Sequence, residues 1–141
     1  MMEYKRVDNT VVLRLDPGDE IAESILTVAK NEHITAGAVQ GIGAVDDLAV
    51  GVFDLAEKAY RQFHFTGNRE INALAGNLSV KDGAPYLHLH ITCTAGDGTV
   101  VGGHLFRGVV SLTAEIFITA LQTSVNRCAN ERLGINQMTF D

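Results

Sequence analysis

The sequence of 141 residues lacks the features that mark several large functional classes. No run approaches the roughly 18 apolar residues of a membrane-spanning helix, and residues Met1–Arg6 lack the apolar core of a signal peptide. The chain also has no phosphate-binding loop, dinucleotide fingerprint or Gly-x-Ser-x-Gly turn. Nucleotide binding through such loops and serine-hydrolase chemistry therefore have no support. We expect a cytoplasmic protein that does not cross a membrane.

Cysteine is scarce. The two cysteines, Cys93 and Cys128, are far apart and form no Cys-x-x-Cys spacing. This usage predicts reduced thiols, because disulfide-stabilised domains carry many closely spaced cysteines. Cys93 alternates with Leu89 and Ile91 in an apolar pattern, so we interpret it as a small buried side chain.

Basic residues are few and scattered. The sequence has 11 Lys and Arg against 17 Asp and Glu, which gives a net charge of −6. Proteins that bind nucleic acid backbones use clustered Lys and Arg to neutralise phosphates. The charge pattern therefore does not predict a nucleic acid partner.

The composition is that of a globular domain, with 46% hydrophobic and 20% charged residues. We expect one domain over residues 1–141, long enough to bury a core without disulfides or a structural metal. A first strand is predicted at Tyr4–Leu15. Asp16 as N-cap and Pro17 at the first helical position then predict a helix over about Asp19–Glu32.

The remainder of the chain is predicted to be mostly strand. The expected strands are Thr35–Val45, Leu48–Asp54, Tyr60–Thr66, Glu70–Val80, Tyr86–Thr94, Thr99–Phe106 and Val109–Leu121. Their connections are short, which favours antiparallel pairing, because a parallel pair needs a long crossover. We therefore predict an α+β fold, a mainly antiparallel sheet of about seven strands with one main helix packed on a face. Self-association would be a natural way to cover the other face.

Three histidines in the second half of the chain are the residues best suited to carry chemistry. His88 and His90 alternate with Leu87, Leu89 and Ile91. Since successive side chains of a strand point to opposite faces, the two histidines share one face and the apolar residues share the other. This arrangement supplies half of a metal site.

The third histidine, His104, follows a segment that is typical of a hairpin connection, Thr94–Thr99. If Thr94 pairs with Val100, the same register places His104 directly across from His90. Opposed residues share a face, with Cβ atoms roughly 4.5 to 5.5 Å apart, so their imidazoles can converge on one ion. A register shifted by two residues would still cluster the three rings, whereas a shift of one would move His104 to the other face.

Simpler interpretations of these residues remain open at this point. Histidines in strands often serve only as half-buried hydrogen-bonding groups, and His-x-His occurs by chance. Two glycines, Gly102 and Gly103, precede His104. They permit close approach of a ligand or a backbone, but they could equally mark a bulge that twists the strand.

Several motifs together resemble the plants-and-prokaryotes-conserved (PPC) domain family. They are Ile34–Ala44, Gly51–Asp54, Glu70–Ile71, Leu74–Leu78, Leu87–His90, Gly102–Leu105 and Thr113–Ile116. The resemblance implies a mainly antiparallel sheet of about seven strands with flanking helices, assembled as a homotrimer. It also implies that His88, His90 and His104 are ligands of a divalent metal, commonly assigned as zinc in prokaryotic relatives.

Plant members of this family carry an additional DNA-contacting segment, the Arg-Gly-Arg-Pro AT-hook, and act in transcription regulation. This chain has no such segment, so DNA association is implied by family analogy only. Glu70 and Glu115 match family positions. Either could act as a general base beside a metal-bound water, orient a histidine, or bond to a neighbouring subunit.

Three functional hypotheses follow. The first is a metal-bearing homotrimer that binds a small ligand or a partner protein in a regulatory role. The second is a small metal-dependent enzyme that uses the three histidines and a glutamate. The third is a DNA-associated regulator. We favour the first, because a metal site follows from the residues themselves and nothing identifies a reaction.

Overall fold

One helix and eight strands make up the protein in the computed structural model, which describes residues 1–140. The elements are β1 (Glu3–Val7), β2 (Thr10–Leu15), α1 (Ile21–Asn31), β3 (Gly37–Asp54), β4 (Ala59–Lys81), β5 (Ala84–Ala95), β6 (Val100–Ala120), β7 (Asn126–Asn130) and β8 (Ile135–Thr139). All strands belong to one sheet. The prediction of a mainly antiparallel sheet with one helix is confirmed, but the strand number of about seven is wrong.

The central strands form a closed circuit of pairs. The main path through the sheet is β1-β2-β6-β3-β4-β7-β8, and β5 pairs with both β4 and β6. Strands β3, β4, β5 and β6 are therefore each paired on two sides. The pairs are antiparallel except for one parallel bridge from Val80 of β4 to Asn126 of β7, so the sheet is mixed.

The long strands continue through positions where the sequence predicted breaks. β3 runs through Asp46 and Asp47, and its register with both neighbours shifts between Val45 and Asp47. Such irregularities bend a strand without ending it, which is why two predicted strands form one. Conversely, the predicted first strand is two, because a turn at Asp8 and Asn9 reverses the chain between β1 and β2.

The helix starts later than predicted, and Asp16 does not cap it. Glu20 is the N-cap, and its side chain accepts a hydrogen bond from the amide of Glu23 at 2.8 Å. Asp16 instead closes a turn with Asp19, since the amide of Asp16 donates to Asp19 Oδ2 and the amide of Asp19 donates to the carbonyl of Asp16. Glu20 Oε1 also accepts from the amide of Gly108 at 2.9 Å, which fixes the start of the helix against β6.

The core lies between α1 and the inner face of the sheet. The helix buries Ile21, Ile25 and Val28 completely and packs against β5 and β6. In β5, Leu89 and Ile91 face this core at 3% and 2% exposure. Burying such a side chain contributes roughly 1.5 to 3 kcal/mol, so this apolar face fixes which side of β5 carries the histidines.

Within residues 1–140, no helix has the length and apolar character needed to span a bilayer.

Candidate metal centre

The hairpin of β5 and β6 brings the three histidines together on the outer face of the sheet. The ladder pairs Thr94 with Val100 and His90 with His104, so the predicted register is confirmed. The ring centroids are 5.2 Å apart for His88 and His90, 5.1 Å for His88 and His104, and 5.7 Å for His90 and His104. One ring nitrogen from each residue lies within 4.8 Å of the other two. If the three rings moved slightly closer together, each of these nitrogens could lie roughly 2.0 to 2.1 Å from one shared zinc ion, which is the usual length of a zinc-nitrogen bond.

The surroundings of the rings favour neutral imidazoles. Partial burial, together with the neighbouring His88 and His90, lowers the pKa of His104 to about 4. Burial also lowers the pKa of His88, with smaller contributions from His90 and the positive charge of Arg127. A neutral imidazole keeps a lone pair on one nitrogen, which is the form that binds a metal.

Tyr60 of β4 orients the ring of His104. Its hydroxyl lies 3.3 Å from His104 Nδ1, and the two ring centroids are 4.6 Å apart. Phe106 packs against the ring of His104 at 4.8 Å. When Nδ1 carries the proton and donates to the tyrosine oxygen, Nε2 is left with its lone pair. A hydrogen bond of this kind fixes the tautomer and orientation of a metal-binding histidine.

A cavity of about 540 Å³ adjoins the histidines. Its lining combines the histidine face with the hairpin of β7 and β8: Tyr60, Asn77, Tyr86, His88, His104, Phe106, Arg127, Gly134, Ile135, Asn136, Gln137 and Met138. His90 does not line it and is the most exposed of the three histidines. A ligand in this cavity would therefore meet His88 and His104.

Of the residues that line the cavity, His88 and His104 were predicted from the sequence and the other ten were not. The residues that were not predicted include Tyr60, Asn77, Tyr86 and Arg127. Tyr86 precedes His88 by two residues in β5, so strand alternation alone places both on one face. Asn77 lies directly opposite His88 in the ladder of β4 and β5. Arg127 lies in β7, where the sequence predicted no strand, and only the tertiary fold brings it to the site.

The two glutamates proposed as partners of the histidines lie elsewhere. Glu70 is exposed and stands opposite Thr94, four residues along β5 from His90, or about 13 Å at the usual rise of a strand. Glu115 is exposed and borders two other surface depressions, together with Phe117. Neither glutamate lines the histidine cavity.

The two glycines before His104 lie against backbone. A Cβ atom on Gly102 would meet the carbonyl oxygen of Ile91 at 2.5 Å, and one on Gly103 would meet the carbonyl oxygen of Gly51 at 2.6 Å. At this point β6 passes from pairing with β5 to pairing with β3. The glycines thus allow three strands to come close together, and this packing positions His104.

The fold and the site define a class of β protein with one helix and an outward-facing cluster of three histidines that could bind a metal. The model of the Plants and Prokaryotes Conserved domain (abbreviated PCC or PPC) matches residues 2–122. The chain belongs to this family, as its sequence motifs indicated. No functionally curated protein matches the chain.

Solved structures support the same assignment. A candidate DNA-binding protein from Bacteroides thetaiotaomicron has 31% sequence identity and a TM-score of 0.96, with 99% of this chain and 98% of that chain covered. A metal-containing protein from Archaeoglobus fulgidus has 31% identity and a TM-score of 0.88, with 99% of each chain covered. A PPC protein from Pyrococcus horikoshii has 30% identity and a TM-score of 0.87, with 99% of this chain and 95% of that chain covered.

Proposed function

We propose that this protein holds a divalent metal, zinc, on His88, His90 and His104 and binds a small ligand beside it in a regulatory role. The observation that carries the proposal is the clustering of three ring nitrogens within 4.8 Å of one another, beside a cavity that His88 and His104 line. Imidazole ligands suit zinc as well as copper, iron and nickel. Three protein ligands leave a coordination position for a ligand or water. The relative from Archaeoglobus fulgidus, described as metal-containing, supports the proposal.

Metal analysis tests this proposal directly. The purified protein should retain close to one zinc per chain after dialysis, as measured by elemental analysis. The double variant His88→Ala, His90→Ala should lose it, because one imidazole alone binds weakly. His64→Ala is the matched control, since this exposed strand histidine bonds to Asp47 at 2.6 Å, outside the cluster. Equal metal content in all three proteins would refute the ligand set.

A regulatory role agrees better with the site than catalysis does. Metal hydrolases commonly place a carboxylate beside the metal-bound water. Among residues 1–140, no Asp or Glu lines the histidine cavity, and Glu70 and Glu115 lie outside it. The small metal-dependent enzyme is therefore the weaker proposal, since the described residues of one chain place no carboxylate in the lining of this cavity.

We propose that the protein assembles as a homotrimer, as the family resemblance implies. Val12, Ile42 and Phe117 are 40%, 56% and 43% exposed. They lie on the adjacent strands β2, β3 and β6, and Val12 pairs directly with Phe117. Covering such a face by association removes apolar surface from water.

Sedimentation equilibrium tests the assembly. The wild-type chain should give three times the monomer mass, and Phe117→Asp should dissociate it, because a carboxylate would be buried without a partner. Leu55→Asp is the control, since Leu55 is 83% exposed in the turn that follows β3, 13 residues along the chain from Ile42. A monomeric wild-type protein would contradict the trimer.

Direct DNA binding is the weaker alternative and rests on the description of the relative from Bacteroides thetaiotaomicron. Five of the 11 basic residues are already paired with carboxylates: Arg6, Arg14, Arg61, Lys81 and Arg107. The other six are scattered along the sequence, and one of them, Arg127, is buried, so they do not form the cluster that phosphate binding uses. Titration of a random duplex across a salt series should show no salt-sensitive affinity, whereas a steep dependence would revive this alternative.

A further inference from the structure

The structure assigns to the histidine cavity a small carboxylate ligand, whose charged end is held by the guanidinium of Arg127. This inference rests on the proposed metal centre for the other end of the ligand, which would coordinate the ion. It concerns a residue beyond the region that the family model matches, residues 2–122.

Arg127 is buried and directed into the site. Only 8% of the residue is exposed, and it lines the cavity together with His88 and His104. Its Nε donates to Ser79 Oγ at 2.7 Å, Nη1 to the carbonyl of Asn136 at 2.9 Å, and Nη2 to Asn77 Oδ1 at 2.8 Å. The guanidinium is therefore fixed in place before any ligand arrives.

The charge of Arg127 has no partner in the described part of the chain. The three acceptors are a hydroxyl, an amide oxygen and a backbone carbonyl, and the ion pairs formed among residues 1–140 involve other basic residues. A buried cation without an anion is costly. Because a guanidinium has five N–H groups, these three hydrogen bonds leave one donor on each terminal nitrogen. Two such donors suit the two oxygens of a carboxylate.

The contacts of Arg127 place its guanidinium beside the strand that carries His88. Asn77, which accepts from Arg127, is the direct cross-strand neighbour of His88, and opposed residues have Cβ atoms roughly 4.5 to 5.5 Å apart. The guanidinium also stacks over the ring of Tyr86, 4.9 Å from its centroid. One small molecule could therefore reach both Arg127 and an ion held by the histidines.

The size and the charge of the cavity narrow the choice further. A volume of about 540 Å³ is in the range of sites for small molecules. Arg127 is the one Lys or Arg among the residues that line it, so the wall supplies a single fixed positive charge. A single guanidinium with two free N–H groups suits one carboxylate group. Tyr60 and Phe106 offer aromatic surface for the apolar part of such a ligand.

A purely structural role does not explain the charge. Arg127 ties the hairpin of β7 and β8 to β4 through its hydrogen bonds to Ser79 and Asn77. Neutral donors could make the same bonds without burying a cation. A structural role therefore explains why residue 127 donates hydrogen bonds. An anionic ligand explains why the donor is a charged guanidinium.

Titration calorimetry with matched probes tests the inference. Lactate carries a carboxylate and a neighbouring hydroxyl that can reach a metal, and lactamide has the same shape without the charge. The zinc-loaded protein should bind lactate at least about tenfold more tightly than lactamide, as expected for hydrogen bonds to a charged partner. Equal binding of the two probes, or binding of neither, would overturn the inference without any variant.

Variants assign the effect to Arg127. In Arg127→Gln the preference for lactate should disappear, and Arg127→Lys should retain part of it. Arg61→Gln is the control, because Arg61 is exposed and pairs with Asp54 outside the cavity. An Arg127→Gln protein that folds, as judged by circular dichroism, and keeps the full preference would overturn the inference. Tighter binding of inorganic phosphate than of lactate would overturn the carboxylate assignment.

The same titration on chelator-treated protein separates this inference from the metal proposal. If elemental analysis finds no zinc in the purified protein before chelation, and the chelator-treated protein still prefers lactate to lactamide through Arg127, the carboxylate site stands and the metal proposal fails. If zinc is bound on the histidines but the preference is missing, the metal proposal stands and the carboxylate site fails.

Discussion

Replacing Gly103 by alanine should destabilise the protein and disturb the histidine cluster. A Cβ at this position would lie 2.6 Å from the carbonyl oxygen and 3.3 Å from the carbonyl carbon of Gly51. The obstacle is backbone in the neighbouring strand β3, so it cannot rotate away. To remove this clash, β3 and β6 would have to separate by several tenths of an ångström. The backbone of Gly103 also has a φ of 155°, which a side chain disfavours.

The expected loss of stability is the sum of two costs, the steric clash and the unfavourable backbone conformation. Overpacking in a well-packed region costs about 1 to 3 kcal/mol, and an unfavourable backbone conformation costs about 1 to 3 kcal/mol more. We expect the free energy of unfolding to fall by about 2 to 6 kcal/mol. Since His104 follows directly and pairs with Gly51 across the same strands, metal affinity should fall as well.

Urea unfolding with a matched glycine provides the assay. Gly96 lies in the turn of the same hairpin, and a Cβ there would have no atom within 4 Å. Gly96→Ala should therefore change stability little or raise it slightly. Gly103→Ala should lower the urea midpoint with an unchanged m-value. Equal midpoints for the two variants would refute the view that close strand packing at Gly103 positions His104.

Two further predictions follow from single contacts near the site. Tyr60→Phe removes the hydroxyl 3.3 Å from His104 Nδ1, so zinc affinity measured by chelator competition should fall about 10- to 100-fold; unchanged affinity would mean that Tyr60 does not orient His104. Burial raises the pKa of the Cys93 thiol to about 11, so this cysteine stays protonated and shielded at pH 8, whereas Cys128 is exposed to reagents. A thiol reagent should therefore modify one cysteine per native chain and two per unfolded chain, and rapid modification of both in the native protein would contradict the buried position of Cys93.

The register of the histidine hairpin was predictable because its determinants are local. A glycine-rich turn joins two strands, and the apolar alternation of Leu89 and Ile91 fixes which face is buried. A register shift of one residue would have moved these apolar side chains to the face that is exposed to water. Together these constraints leave His90 opposite His104.

Other parts of the fold depend on contacts that the sequence does not display. Strands β7 and β8 are short and largely polar, so they lack a clear alternation, and they pair mainly with each other. Arg127 enters the site only because this hairpin folds against β4. Similarly, Asp46 and Asp47 are typical of a turn, but β3 is paired on both sides there and continues as a bent strand.

The helix start shows the same competition between local signals. Asp16 and Pro17 form a suitable beginning for a helix, whereas Glu20, four residues later, is not of a preferred N-cap type. The tertiary contact decides between them, because Glu20 both caps the helix and accepts from the amide of Gly108 in β6.

X-ray absorption of the zinc-loaded protein tests the central claim most directly. The account predicts three imidazole nitrogens from His88, His90 and His104 at about 2.0 to 2.1 Å from the zinc, with oxygen from water or from an added ligand completing the coordination. The imidazole signal should fall in His104→Ala. A zinc site with sulfur ligands, or an imidazole signal unchanged in that variant, would contradict it.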